Sequence, residues 1–393
     1  MRQIKPNVFS IGAIDWDRRL FDELIPLPEG TTYNAYVVKG SDKVALLDTV
    51  DPAKNQTLMG NLVSLGIDKI DYIVAHHAEQ DHSGSIPDVL MLYPGAKVVT
   101  NAKCRSMLID LLHIEEDRFL VVEDNATLPL GGKTLRFLNT PWVHWPETMC
   151  TYLEEDKILF SCDFFGAHLA ESNLFVAEEP LVLEAAKRYY AEIMMPFRPA
   201  IRKNLEKVDA LDIEIIAPSH GPVYDNPRLI VDAYKDWVSD NVKNEVVLAY
   251  VSMHESTQKM AEHLTAALIE RGITVQLFNL TVTDLGKLAI ALVDAATVVL
   301  GSPTVLTGAH PKTAYAALVA NALRPKTRFA SIIGSFGWAG KMAEQLAGLI
   351  GNLKVEVIPP VVAKGHPKDE DFLALDKLAD EILNRHKAIG IVT

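Results

Sequence analysis

The sequence is poor in cysteine, with only Cys104, Cys150 and Cys162 in 393 residues. Their spacing gives no Cys-x-x-Cys pair and no disulfide framework, which excludes a stapled secreted scaffold and an iron module held by four thiolates of its own. No apolar run approaches the eighteen or so residues of a membrane helix. The opening stretch Met1-Arg2-Gln3-Ile4-Lys5-Pro6 has no signal-peptide core, so a cytoplasmic location is expected. Clusters of Lys and Arg are also missing. With a net charge of −13 this argues against nucleic acid as partner, because phosphate binding rewards grouped cations.

What the chain does have is length and apolar content for two or three cored domains, and one dense group of metal-ligand residue types. The run His77-Ala78-Glu79-Gln80-Asp81-His82 follows the strand-like stretch Ile70-Asp71-Tyr72-Ile73-Val74-Ala75. Two imidazoles and two carboxylates on the edge of a strand suit iron or manganese better than a thiolate-loving metal. The run supplies at most half the ligand bonds of a binuclear centre, so the rest must come from elsewhere. Isolated candidates stand in Trp142-Val143-His144-Trp145-Pro146, in Leu159-Phe160-Ser161-Cys162-Asp163 and in Ile215-Ile216-Ala217-Pro218-Ser219-His220-Gly221. A lone His or Asp at a strand end is ordinarily a capped turn or a satisfied core polar group. It is the set that points to metal.

The order His-x-Glu-x-Asp-His, His, Asp, His, together with Thr31-Thr32-Tyr33-Asn34-Ala35-Tyr36, resembles the flavodiiron proteins along nearly the whole chain. Metallo-β-lactamase-type hydrolases carry a second His where Glu79 stands and bind zinc there. The resemblance implies that His77, Glu79 and His144 bind one iron, that Asp81, His82 and His220 bind the other, and that Asp163 bridges them. Asp48 and His168 are expected to hydrogen-bond ligands, and Trp145 and Tyr190 to line the pocket. Two stretches depart from the family pattern: Phe21-Asp22-Glu23-Leu24 stands where relatives carry His and Tyr, and His254 where they often carry Trp.

Up to about residue 240, strands such as Val44–Asp48 and Ala96–Thr100 mix with helical stretches such as Leu181–Met195. Periodicity leaves a single sheet and two sheets both open; the resemblance implies a metallo-β-lactamase-like αββα sandwich over residues 1–243. After Leu229–Val238 and the polar turn Ser239–Asn244 the pattern changes. Strands at Val246–Val251, Thr274–Phe278, Thr297–Leu300, Arg328–Ile333 and Lys354–Ile358 alternate with amphipathic helices, which predicts a flavodoxin-like doubly wound parallel sheet over 244–393.

Such sheets bind ligands at the carboxyl ends of their strands, where three loops stand out. Ser252-Met253-His254-Glu255-Ser256-Thr257 opens a helix and can cradle a phosphate with hydroxyl and backbone N–H groups. A Ser/Thr N-cap is the ordinary reading of such a loop; its position after the first strand favours the phosphate. Pro303, Thr304, Val305 and Leu306 in the second loop, and Ser335, Phe336, Gly337, Trp338 and Gly340 in the third, are expected to flank a flavin ring. There Trp338 stacks and Gly334, Gly337 and Gly340 allow close approach. No Gly-x-Gly-x-x-Gly follows the first strand, so FMN fits better than a dinucleotide. His254, beside the ring, is placed to stabilise anionic reduced flavin.

Two irons and FMN in one chain imply reduction of dioxygen to water, or of nitric oxide to nitrous oxide, with electrons from an external carrier such as rubredoxin or a reduced deazaflavin. The resemblance also implies a head-to-tail homodimer, or a homotetramer built from it, in which one subunit's flavin faces the other's irons. The competing expectations are a zinc-dependent hydrolase of the metallo-β-lactamase fold and an electron-transfer flavoprotein with a vestigial metal domain.

Overall fold

A computed structural model describes residues 1–338 and 340–392; Ala339, in the third loop above, and Thr393 lie outside the described residues. Contacts divide the chain into two compact units, Met1–Tyr190 with Phe197–Val238, and Ala191–Pro196 with Ser239–Thr393.

The first unit is a two-sheet sandwich. One sheet runs in the order Arg2–Lys5, Val8–Ser10, Tyr36–Lys39, Val44–Leu47, Tyr72–Val74, Lys97–Thr100, Phe119–Val121. The other runs Thr127–Pro129, Thr134–Asn139, Met149–Leu153, Ile158–Cys162, Ile215–Pro218. Side chains alternate along each strand, so each central strand has two apolar faces to bury. Tyr36, Val38, Ala45, Leu47, Val74 and Val99 meet Phe137, Met149, Phe160 and Ala217 of the facing sheet. Val37, Leu46, Ile73 and Val98 point the other way, against helices Asn55–Ser64, Ile86–Leu92 and Ala102–Leu112 through Leu58, Leu62, Val89 and Leu108. Helices Glu179–Tyr189, Arg198–Asp209 and Pro227–Val238 complete the unit. The expected helix Leu181–Met195 is thus shorter at its end: regular turns stop at Tyr189 and a wider, π-helical turn covers Tyr190–Met194. Pro196 lies just ahead, and a proline clashes with helical geometry at the residue before it.

The second unit has the strand order Thr274–Asn279, Lys243–Tyr250, Ala295–Val305, Phe329–Phe336, then Glu356–Val357 and Val361–Lys364, all parallel. Numbered along the chain this is 2-1-3-4-5, the flavodoxin order. Helices Ser256–Glu270 and Asp369–Ala388 cover one face through Met260, Leu264, Leu375 and Ile382. Leu285–Leu292, Pro311–Leu323 and Met342–Leu349 cover the other through Leu288, Ala316 and Leu346. The fifth strand differs from the expectation of Lys354–Ile358: only Glu356 and Val357 pair there, and the strand resumes at Val361. Pro359-Pro360 explains the break, since two consecutive residues without N–H cannot continue a ladder. Beneath this sheet the fully buried His386 is satisfied by Thr297 Oγ1 at 2.7 Å and Asn244 Oδ1 at 2.8 Å.

Candidate functional site

Every proposed metal ligand sits just past a strand end, or in a loop joining two strands, of the first unit. After Tyr72–Val74 the chain bends at His76, and Glu79, at φ −60° and ψ 141°, leads into one helical turn at Gln80–Ser83. This brings His77 and Glu79, two residues apart, to 3.0 Å, and the turn then swings Asp81 and His82 to a second position. His144 comes from the loop between Thr134–Asn139 and Met149–Leu153, Asp163 from the end of Ile158–Cys162, and His220 from the end of Ile215–Pro218.

These seven side chains converge as two groups that share one carboxylate. Glu79 Oε2 lies 3.0 Å from His77 Nε2 and 3.3 Å from His144 Nε2, and Asp163 Oδ2 lies 3.5 Å from both imidazoles. Asp81 Oδ2 lies 3.3 Å from His82 Nε2 and 3.2 Å from His220 Nε2, and Asp163 Oδ1 completes that group at 3.0 and 3.4 Å. Asp163 therefore offers one oxygen to each group. Asp81 Oδ1 and Oδ2, His82 Nε2 and Asp163 Oδ2 are buried and make no hydrogen bond despite these close neighbours. Lone pairs that converge without pairing fit a metal, because a buried polar atom left unsatisfied otherwise costs about 1–3 kcal/mol.

The electrostatics agree. Burial disfavours charge on His77, His144 and His220, yet the surrounding carboxylates prevail and push all three upward, His144 up to about 9 and His220 up to about 10. Burial likewise opposes charge on Glu79 and Asp163, but the imidazoles keep both carboxyls well below the usual range. Protons balance the carboxylates here where divalent cations can.

Partners behind the ligands set their orientation. His77 Nδ1 is 2.7 Å from Glu147 Oε1, and His220 Nδ1 donates to the Thr32 carbonyl at 2.6 Å, so each ring presents Nε2 to the centre. Tyr189 Oη donates to Asp163 Oδ1 at 2.8 Å. Glu147 and Tyr189 escaped the sequence reading: one is a single acid in a loop, the other the neighbour of the expected Tyr190. Tyr190 instead turns toward Tyr234 and Trp237 and donates to the Trp237 carbonyl. Asp48 touches no ligand; it holds His76, Nδ1 at 2.7 Å and N at 2.9 Å. His168 packs 4.7 Å from the His220 ring and binds Thr31 Oγ1 at 2.8 Å, and burial together with the neighbouring His220 keeps it neutral. Trp145 stands edge-on to His77 at 4.9 Å.

A cavity of about 350 Å³ opens beside the centre, lined by Arg18, Phe21, Asp22, Asp51, Glu79, Asp81 and Trp145 among others. Asp22 sits in the tight turn Phe21–Leu24. Desolvation at the cavity edge, with Glu79 and Asp81 adding repulsion, pushes its carboxyl up to about 6.

In the second unit, one cleft at the carboxyl ends of the strands is walled by Ser252, Met253, His254, Ser256, Thr257, Pro303, Thr304, Ser335, Phe336 and Gly337, with Gly365 and His366 added from the loop after the fifth strand. Ser252 Oγ and Thr304 Oγ1 are buried without a hydrogen-bond partner, and helix Ser256–Glu270 starts with no side-chain cap. Unmatched hydroxyls around an uncapped helix N-terminus fit a phosphate ester. Val305 and Leu306 line a neighbouring cavity, the Glu255 carboxylate lies 3.4 Å from Lys259, Trp338 is 82% exposed, and Gly340 is also exposed. Gly334 serves the fold rather than the cleft, since a Cβ there would meet the Ser302 carbonyl oxygen at 2.0 Å.

Two ligand groups joined through a carboxylate, in a chain that also carries a flavodoxin-type sheet, define a class of metalloflavoprotein. Residues 31–221 match the family model described as ODP family beta lactamase. The chain is 34% identical to the coenzyme F420H(2) oxidase of Methanothermobacter marburgensis, over 97% of this chain and 98% of the relative. It is also 34% identical to the nitric oxide reductase of Moorella thermoacetica, again over 97% and 98%. Among solved structures, the rubredoxin oxygen:oxidoreductase of Desulfovibrio gigas matches with a TM-score of 0.94 at 32% identity, covering 98% of each chain. The chain belongs to the flavodiiron protein family, oxidoreductases that carry a diiron centre and FMN. A zinc hydrolase is not favoured: Glu79 stands where the hydrolases carry His, and a hydrolase needs no flavodoxin-like unit. No helix among the described residues is long and apolar enough to cross a membrane.

Proposed function

We propose that His77, Glu79 and His144 hold one iron, Asp81, His82 and His220 the other, and that Asp163 bridges them, in a domain spanning residues 1–243. The observation that carries this reading is the division of Asp163, with Oδ2 facing one group and Oδ1 the other. FMN lies in the domain of residues 244–393, its phosphate at Ser252, Met253, His254, Glu255, Ser256 and Thr257 and its ring between Pro303, Thr304, Val305 and Leu306 on one side and Ser335, Phe336, Gly337, Trp338 and Gly340 on the other. When bound, the iron pair would supply two adjacent one-electron reductants for a diatomic ligand and FMN a store of electrons given up one or two at a time.

The chain's own residues set the conditions for that chemistry. Glu147 and the Thr32 carbonyl fix the tautomers of His77 and His220, and the Tyr189 hydroxyl steadies the bridging carboxylate. With Glu79 and Asp81 serving as ligands, Asp22, Asp51, Arg18, Phe21 and Trp145 are among those left to line the cavity, which suits small neutral molecules such as dioxygen and nitric oxide. Asp22 lines the cavity beside Glu79 and Asp81, where a carboxyl is placed to exchange protons with a product that needs them to become water.

Electrons come from an external donor, rubredoxin or a reduced deazaflavin, consistent with the names of the relatives. The working unit is a head-to-tail homodimer or a homotetramer of such dimers, in the cytoplasm. The test is to load the protein anaerobically with a reduced donor and compare consumption of dioxygen and nitric oxide, assaying peroxide and nitrous oxide. Fast dioxygen loss without peroxide, or nitric oxide loss with nitrous oxide formed, supports the reading. Inactivity toward both gases in protein loaded with iron and FMN contradicts it.

A further inference from the structure

At the rim of the proposed flavin cleft a chain of hydrogen bonds reaches Ser256 from two residues, Lys259 and His366, that lie outside the loops read from the sequence. Lys259 Nζ is 3.0 Å from His366 Nε2, and His366 Nδ1 is 3.1 Å from Ser256 Oγ. An ammonium has only protons to give, so His366 Nε2 accepts and the ring proton resides on Nδ1. Nδ1–H then donates to Ser256 Oγ, which leaves the serine hydroxyl proton free to point elsewhere. Ser256 is the first residue of the uncapped helix Ser256–Glu270 and lines the cleft beside the partnerless Ser252 Oγ.

Resting on the FMN reading above, we infer that His366 is a positioning residue of the phosphate site: it fixes Ser256 as a donor toward the cofactor's phosphate and carries the polarisation of Lys259 to it. The phosphate is thus held by hydroxyls and backbone N–H groups, with cationic charge reaching it through an imidazole rather than by direct contact. His366 is supplied by the loop after the interrupted fifth strand, following Gly365 at φ +79°. Only a ligand bearing the phosphate should feel the relay; the ring should not.

The experiment is a titration of full-length apoprotein with FMN and, separately, with riboflavin, followed by quenching of flavin fluorescence, in wild type, His366→Ala and His366→Gln. Losing one hydrogen bond to a charged group predicts about tenfold weaker FMN binding in His366→Ala. Riboflavin affinity should be unchanged, and FMN affinity should return in His366→Gln, whose amide can accept from Lys259 and donate to Ser256. Equal weakening of FMN and riboflavin, or no weakening of either, overturns the inference while leaving the FMN reading intact. A wild type that binds FMN no better than riboflavin overturns the phosphate site itself and the inference with it.

Discussion

The two sites of this chain are built on opposite principles. The proposed metal centre is a buried concentration of charged side chains, four imidazoles and three carboxylates, steadied by Glu147, Tyr189 and the Thr32 carbonyl. The proposed flavin cleft is an open rim of hydroxyls, backbone and small residues, with Met253 at 52% exposure. Metals select residue identity, because only certain atoms can bind them. A flavin with its phosphate selects loop position, because helix N-termini and strand ends supply much of the binding whatever the side chains. The buried histidines differ in the same sense. Carboxylate neighbours overcome burial and raise His144 and His220, whereas His386, among neutral partners, is lowered to about 4 by burial.

The sharpest way to separate the two sites is Asp163→Ala. Removal of the shared carboxylate is expected to empty both iron positions and abolish turnover while FMN content per chain stays unchanged, as metal and flavin analysis of the same preparation will show. Loss of FMN together with iron would mean that the sites are not independent.

Next in size is an acid effect confined to the flavin unit. His386 takes up a proton near its ordinary 6.5 in the unfolded chain but only near 4 when folded, so unfolding binds a proton between these values. The stability that depends on neutral His386 is therefore complete above about pH 6.5 and declines as pH falls toward 4, by on the order of 3 kcal/mol. Denaturant titrations followed by flavin release should show this slope in wild type and a flatter one in His386→Gln.

Glu147→Gln tests whether the support behind the ligands matters as much as proposed. Weakening the hold on His77 should lower iron affinity or activity by about 10- to 100-fold, read from iron retention against a chelator, with FMN binding unaltered. Smallest is Trp338→Ala: if this exposed aromatic packs on the flavin as proposed, its loss should cost about 1 kcal/mol, or roughly fivefold in the Kd for FMN, with iron content untouched.

The same contrast governs what could be read without a structure. The seven proposed ligands are marked by residue type and by grouping, although eight further histidines stand elsewhere in the sequence, and each of the seven stands past a strand end or between two strands. What surrounds them is less visible. Glu147 looks like any loop acid, and only the pairing of the His144 loop brings it to His77 Nδ1. Tyr189 and Tyr190 are adjacent letters whose directions differ by about 100° on a helix, so a one-residue error turns the hydroxyl from Asp163 to Trp237. Asp48 ends a strand beside the site yet serves His76, because the run after Val74 places His76 and His77 on opposite sides. In the flavin unit the strand alternation gave the sheet, but Pro359-Pro360 displaced the fifth strand and with it the loop that delivers His366. That contact spans more than a hundred residues and leaves no local pattern.

The most direct test is to measure iron, zinc and FMN per chain in protein produced with ample iron. Two irons and one FMN per chain, with zinc negligible, is the expected result. Stoichiometric zinc with no bound flavin would contradict the assignment of these seven side chains to a diiron centre and of the C-terminal cleft to FMN.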